Sequence, residues 1–314
     1  MAKYVARRLV LTVPSLAIVT VIVFSLVRIV PGSLAVALLG DDYSKEAEAK
    51  LNAELGLDGA LPVQYVRWLR DLSQGDLGAS LLDRRPVGEL LAKRAPVTIQ
   101  LSLMTLAFAM VIGLPIGLVS ALKPNSPADF VLRSAAIFGL AAPSFWLATL
   151  FLVYAANWFG YSPPIFYAAP WSDLGTNLQM MLWPALISSV VGGAVIMRMT
   201  RAMMLEVIRE DYIRTAYAKG LTQSYIVIRH ALRNALIPVV TVFGLSVANI
   251  LSGSVISETV FGLPGMGRLL VTSVLARDMP VVQAITIISA AVVMLVNIGI
   301  DLTYAYLDPR LRYS

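Results

Sequence analysis

Cysteine is absent from this chain of 314 residues, and histidine occurs once, at His230. These gaps exclude disulfides, thiol catalysis, and thiolate or histidine-ligated metal clusters within the chain. Charge is scarce too: Asp, Glu, Lys and Arg make up 14% of the residues, against about 25% in a soluble domain. No lysine completes a GxxxxGK[ST] loop, so a nucleotide site of that kind is missing. The glycine-rich run FGLPGMGR, residues 261 to 268, lacks the lysine and reads as a tight turn set by Pro264 and Gly265. No nucleophile and base pair stands out, which argues against an enzyme. Internal repeats, low-complexity tracts and flexible linkers are also lacking.

What is present is apolar sequence: 58% of residues are hydrophobic and the mean hydropathy is +0.75. Six stretches meet the requirement of roughly 20 apolar residues for a bilayer-crossing helix. They run about residues 9–29, 98–121, 132–158, 181–198, 236–257 and 281–303. The expected fold class is therefore an all-α polytopic membrane protein with both termini on one side. Lys3, Arg7 and Arg8 before the first span, Lys123 and Arg133 around the second loop, and Arg198, Arg201, Arg209, Arg214, Lys219, Arg229 and Arg233 in the fourth place those segments in the cytoplasm. The net charge of +6 is concentrated there, where it sets topology, and nucleic acid is not an expected partner. A cleaved signal peptide, with Ala35-Val36-Ala37 at the cleavage site, is the alternative reading of the N-terminus. The apolar run is longer than the 7–15 residues of a signal core and favours a retained span.

The expected segments are 1–30 with the first span, an extracytoplasmic helical insert at 31–97, a transmembrane domain at 98–305 and a cytoplasmic tail at 306–314. The insert is too polar to cross a membrane and carries helix signals at 44–56, 62–72 and 86–95. Within the spans, ionisable residues are confined to the edges, at Arg28, Arg198, Glu258 and Asp301, so a proton or ion relay is not expected. Interior polarity is neutral, at Asn157, Ser188, Ser189, Thr241, Ser246, Asn249, Ser252, Ser254, Thr286, Ser289 and Asn297. Ser246, Asn249, Ser252 and Asn297 are candidates for lining a passage; hydrogen bonding between helices is the other role open to them. Gly113 and Gly117 form a GxxxG pair suited to helix packing, and Pro115 between them is expected to kink the second span.

Between the fourth and fifth spans, cytoplasmic loop 199–235 contains TAYAKGLTQSYIVIRHALRNALIP, residues 215–238. Ile213, Ala216, Tyr217, Gly220 and Leu221 recur at helical spacing and make one apolar stripe, flanked by Arg214 and Lys219. Gly220 can end the helix in a left-handed conformation. Ser224 can cap a second helix whose apolar positions are Tyr225, Ile228, Leu232 and Leu236, with Pro238 in the first turn of the fifth span. Such a stripe can dock another protein or lie on lipid head groups.

Thr215-Ala216-Tyr217, Gly220 and Leu236-Ile237-Pro238 resemble the "EAA" coupling loop of ABC importer permeases, in which Glu-Ala-Ala is followed by glycine and then Ile-x-Leu-Pro. The leading acidic residue is absent here. Blocks over nearly the full chain agree with the first permease subunit of dipeptide, oligopeptide and nickel importers: the start RRLVLTVPSLAIVTVIVFSLVRIVPGS, then LPVQYVRWL, GDLGASLLDRRPV, APSFWLATLFL, ETVFGLPGMGRLL, RDMPVVQ and YAYLDPRLRYS.

This resemblance implies a multi-pass permease in the plasma membrane of a prokaryote. Its implied partners are a second related permease, two ATPase domains or subunits and an extracytoplasmic binding protein. ATP and Mg would bind to the ATPases, leaving no cofactor in this chain, and Ile213, Arg214, Ala216, Tyr217, Lys219, Gly220 and Leu221 would receive them. The branch it resembles includes carriers of dipeptides, longer peptides, glutathione, nickel chelates and haem; short peptides are the expected cargo by their frequency within it. A stand-alone six-span transporter or channel is the competing class.

Overall fold

The computed structural model describes residues 2–29, 44–47, 59–164 and 166–307. Among them the regular structure is helical, apart from one isolated bridge between Ala79 and Pro86. Ten α-helices follow in order: α1 Ala2–Ile29, α2 Leu61–Ser73, α3 Val87–Leu122, α4 Pro127–Ala141, α5 Ser144–Phe159, α6 Leu174–Val207, α7 Asp211–Ala218, α8 Arg233–Val260, α9 Met266–Leu275 and α10 Met279–Leu307. A helical turn at Gln223–Tyr225 and a π-helix at Ile226–Leu232 lead into α8. Three described helices are long and apolar enough to cross a membrane: Val87–Leu122, Leu174–Val207 and Met279–Ile300.

Several boundaries differ from the sequence expectation. The stretch 132–158 is not one straight span, since α4 and α5 diverge by 103°. Pro143 has no N–H to continue the helical ladder, and its ring drives the preceding Ala142 into extended backbone at φ −75° and ψ 126°. The helix expected at 86–95 is no separate element of the insert; it is the beginning of α3, 36 residues long, which continues unbroken past Pro115. α6 runs nine residues beyond the anticipated end at 198, so its 34 residues span about 51 Å at 1.5 Å per residue. Of the expected helix at 44–56, residues 45–47 are helical, with the Ala47 amide donating to Ser44 Oγ at 3.0 Å; positions 48–56 lie outside the described residues.

Local chemistry fixes the helix ends. Asp173 caps α6 by accepting the Thr176 amide at 3.1 Å, and Thr176 Oγ1 also donates to it at 2.6 Å. Ser126 accepts the Asp129 amide at the start of α4, where Pro127 needs no partner for an N–H. Gly160 closes α5 in the left-handed conformation, φ 60°.

The chain forms two compact units. The first comprises Met1–Pro96 and Arg268–Leu295. In it, Tyr65 and Trp68 of α2 pack around Phe24 of α1 with ring centroids at 5.2 and 5.7 Å. Thr20 and Tyr65 share a hydrogen bond of 2.9 Å. The buried Asp278 carboxylate, at the start of α10, accepts Ser80 Oγ and the Leu81 amide, which ties loop 76–86 to the turn before α10.

The second unit comprises Val97–Gly267 and Val296–Ser314. The GxxxG expectation holds: a Cβ on Gly113 would sit 2.5 Å from the Gly193 carbonyl oxygen, and one on Gly117 2.6 Å from that of Met197. Glycine lets the backbones of α3 and α6 touch where any side chain would separate them. Gly139 of α4 instead makes room for a side chain of α6: a Cβ there would sit 2.9 Å from Val190 Cγ1. One apolar core gathers Val97, Leu101, Met180, Met181, Phe261 and Leu263, and another gathers Met204, Ile213, Ile226, Val227, Ala231 and Ala235. The run 261–268 turns at Phe261 and Gly262, with Gly262 at φ +70°, and not at the expected Pro264 and Gly265; it enters α9 at Met266, and it also wraps an acid. Glu258 is fully buried and accepts Thr98 Oγ1 at 2.6 Å. Gly265 and Gly267 lie so close to its carboxylate that a Cβ would come within 2.3 and 3.0 Å.

Candidate functional site

The chain leaves α6 through a tight turn, with the Glu210 amide donating to the Val207 carbonyl at 3.1 Å, and enters α7. Helical spacing divides α7 into two faces. Ile213 and Ala216 turn inward, with Ile213 only 1% exposed, into the core made by Met204, Ile226, Val227 and Ala231. Tyr212, Arg214, Tyr217 and Lys219 turn outward, as do Gly220 and Leu221 beyond the helix end. The expected single stripe is thus corrected: its Ile213 and Ala216 are occupied by this chain's own core, because the winding after α7 folds back over them. Asn234 Nδ2 pins that return by donating to Tyr212 Oη at 2.8 Å.

Gly220 ends α7 as anticipated. Its φ is +77°, its amide donates to the Tyr217 carbonyl at 2.9 Å, and the Leu221 amide reaches the Ala216 carbonyl at 3.4 Å. This pair of bonds is a Schellman termination, which uses the left-handed region open to glycine. A Cβ on Gly220 would meet nothing within 4 Å. Arg214 and Asp211 approach to 3.5 Å on the open surface, where such pairs contribute little.

The second helical piece departs from expectation. Thr222, not Ser224, occupies the position before it, without a side-chain cap. The residues facing inward are Ile226, Val227, Ala231 and Ala235, while Tyr225 and Ile228 are exposed. The π-helix at Ile226–Leu232 bonds i to i+5 and so widens the turn. Of the expected apolar positions, Leu232 and Leu236 pack half-buried against the cores, while Tyr225 and Ile228 do not. Pro238 falls within α8, whose first residue is Arg233.

A second feature lies in the membrane-spanning part. A cleft of about 220 Å³ is lined by ten residues, none of them charged, from α3, α5, α6 and α8; they include Thr105, Ser188, Gly253, Ser254 and Ser257. Ser188 Oγ and Ser257 Oγ hydrogen-bond to each other. Thr105 is 1% exposed and its Oγ1 has no hydrogen-bond partner. Of the expected passage residues, Asn297 is exposed on α10, and the side chains of Ser246, Asn249 and Ser252 lie outside the described residues. Ser188 and Ser254, both in the neutral polar set read from sequence, do line the cleft. Thr105 and Ser257 were missed; a hydroxyl within the apolar run LSLMTLAFAM and the i, i+3 serines 254 and 257 were the available signals.

Residues 113–313 match the family model described as binding-protein-dependent transport system inner membrane component, and residues 1–102 match the N-terminal model of the same systems. The chain is similar over 100% of both sequences to the dipeptide transport system permease protein DppB of Alkalihalophilus pseudofirmus, at 37% identity. It is equally full-length against DppB of Escherichia coli strain K12, at 36%, and a putative peptide transport system permease of Brucella abortus, at 39%. Among solved structures, the MetNI methionine ABC transporter matches with a TM-score of 0.58 at 18% identity, over 70% of this chain and 96% of that one. An amino acid ABC transporter matches with a TM-score of 0.55 at 15% identity, over 70% and 94%. With apolar helices, no nucleotide loop and a family model spanning most of its length, the chain belongs to the inner membrane components of binding-protein-dependent transport systems.

Proposed function

We propose that this permease carries short peptides, forming with a second related permease the passage of an ATP-driven importer. The observation that carries this reading is full-length similarity, at 36–39% identity, to permeases named for dipeptide or peptide transport. The uncharged cleft supports it, since peptides are net-neutral cargo at their amides. The arrangement is six spans with both termini cytoplasmic and the insert outside, in keeping with the basic residues around α7.

The exposed side of α7 and the turn after it, with Arg214, Tyr217, Lys219, Gly220 and Leu221, meet a partner ATPase, while Ile213 and Ala216 hold the helix to the permease. ATP and Mg belong to the ATPases. Their closure pulls on α7, and the shared core of Ile213, Met204 and Ile226 passes the displacement to α6 and α8, switching the side on which the passage opens. The binding protein delivers peptide from outside.

The test is to purify the chain with its co-expressed neighbours and reconstitute them. Co-purification of two ATPases and a second permease, with ATP-driven peptide uptake, is the expected result. A chain that purifies alone and transports without ATP would mean a stand-alone carrier.

A further inference from the structure

We infer that the cleft between α3, α6 and α8 is a contact point for the uncharged part of a peptide in transit, with the Thr105 hydroxyl bonding an amide and Gly253 leaving room for a side chain. The inference rests on the peptide reading above.

Several helical threonines elsewhere in the chain satisfy their hydroxyls locally. Thr149, Thr215, Thr259, Thr272 and Thr286 each donate to the carbonyl four residues earlier, at 2.7–3.1 Å. Thr105 does not, although it is almost wholly buried. A buried hydroxyl without a partner is unfavourable and calls for a reason. Ser102 and Thr200, also unpartnered, do not line this cleft; Thr105 does. Its neighbours Ser188 and Ser257 are occupied with each other, which leaves Thr105 with bonding capacity to offer.

Gly253 is the second, independent observation. Gly113 and Gly117 are small because a backbone touches them, whereas a Cβ on Gly253 would meet nothing within 4 Å. A glycine within a helix weakens it relative to alanine, and here no packing neighbour requires the loss. The space it leaves opens into the cleft. At about 220 Å³ the cleft exceeds the roughly 30 Å³ share of one water and falls short of the ~300 Å³ lower end of pockets that enclose a whole ligand. Its size suits one residue of a peptide. With no charged side chain in its lining, it offers nothing to the charged ends of the peptide.

The experiment uses the complete transporter in proteoliposomes enclosing ATP, with the binding protein and diglycine or diphenylalanine supplied outside, and compares Gly253→Leu, Gly253→Ala and Thr105→Val with the wild type. Gly253→Leu projects a side chain into the cleft from a position where the added Cβ itself meets nothing within 4 Å. It should cut diphenylalanine uptake by roughly tenfold or more, and diglycine uptake much less. ATP hydrolysis stimulated by the peptide-loaded binding protein should persist, and Gly253→Ala should stay near wild type. Thr105→Val, which keeps the side-chain shape, should slow both peptides by about fivefold, the value of one hydrogen bond. Wild-type rates in both Gly253→Leu and Thr105→Val, or equal loss of both peptides in Gly253→Leu, would overturn the inference and leave the cleft a packing gap. If Gly253→Leu does not assemble, Thr105→Val decides alone, wild-type rates again overturning it. A wild-type transporter that moves neither peptide but does move another cargo overturns the peptide assignment instead, and this inference with it.

Discussion

Arg201 grips Asp129 with two donors, Nε at 2.8 Å and Nη2 at 2.9 Å from the two carboxylate oxygens, and so joins α6 to the first turn of α4. Asp129 is fully buried and also accepts Ser120 Oγ from the end of α3 and the Asn125 amide from the intervening loop. Three helices therefore converge on one carboxylate. Removing Arg201 leaves the buried charge with only the part-exposed Arg133, 3.8 Å away, and without its two charge-assisted hydrogen bonds, which costs about 3 kcal/mol. Arg201→Met should lower the melting temperature of the detergent-solubilised protein clearly, and Asp129→Asn on the same background should recover part of the loss. An additive double variant would show that the pair does not couple.

Ile213 and Tyr217 are neighbours one turn apart on α7, yet Ile213 is buried and Tyr217, at the edge of the covered face, is 46% exposed. Ile213→Ala should destabilise the permease by about 2–4 kcal/mol, as for other buried aliphatic truncations. Tyr217→Ala should leave thermal stability within about 0.5 kcal/mol and weaken ATPase co-purification. Unchanged co-purification in Tyr217→Ala together with Leu221→Ala would remove the outward face from the ATPase contact.

Gly220 serves two arguments that a pair of substitutions separates. Its positive φ costs an ordinary L-residue about 1–2 kcal/mol, and asparagine less. If backbone conformation alone requires glycine, Gly220→Asn should transport at close to the wild-type rate and Gly220→Val should not. If the ATPase must approach the backbone there, both variants should lose uptake while remaining in the membrane. Proteoliposome uptake, with membrane content checked by immunoblot, distinguishes these outcomes; the ATPase-docking reading predicts the second.

Gly265 lies against the Glu258 carboxylate, where an added Cβ would come within 2.3 Å of its oxygen. Gly265→Ala must displace either the turn or a fully buried acid, and a cost of about 1–3 kcal/mol follows from overpacking. Gly88→Ala, at a position with nothing within 4 Å of the added Cβ, is the control and should melt like the wild type.

Membership of a membrane family was legible in composition and in motif blocks, because a bilayer imposes its length and polarity on each span separately. The glycine at the end of α7 was legible for the same reason: left-handed backbone is a local demand, and so is GxxxG packing. The broken pair α4 and α5 was half-visible as Pro143, yet a proline alone does not state whether a helix kinks or turns by 103°.

What the sequence could not supply was which side of a helix its own chain would cover. Ile213 and Ala216 read as a docking stripe because periodicity reports an apolar face without naming its partner, and only the return of 226–235 over α7 showed that partner to be internal. In the next stripe Leu232 and Leu236 pack as read, while Tyr225 and Ile228 stay exposed and Val227 and Ala231 are buried instead. Arg201 read as a topology charge until the fold brought Asp129, 72 residues earlier, against it. The cleft likewise joins hydroxyls from separate helices. Local hydropathy and backbone preference are properties of short segments and are written in them; burial, pairing and cavity shape arise where distant segments meet, and tertiary packing alone decides them.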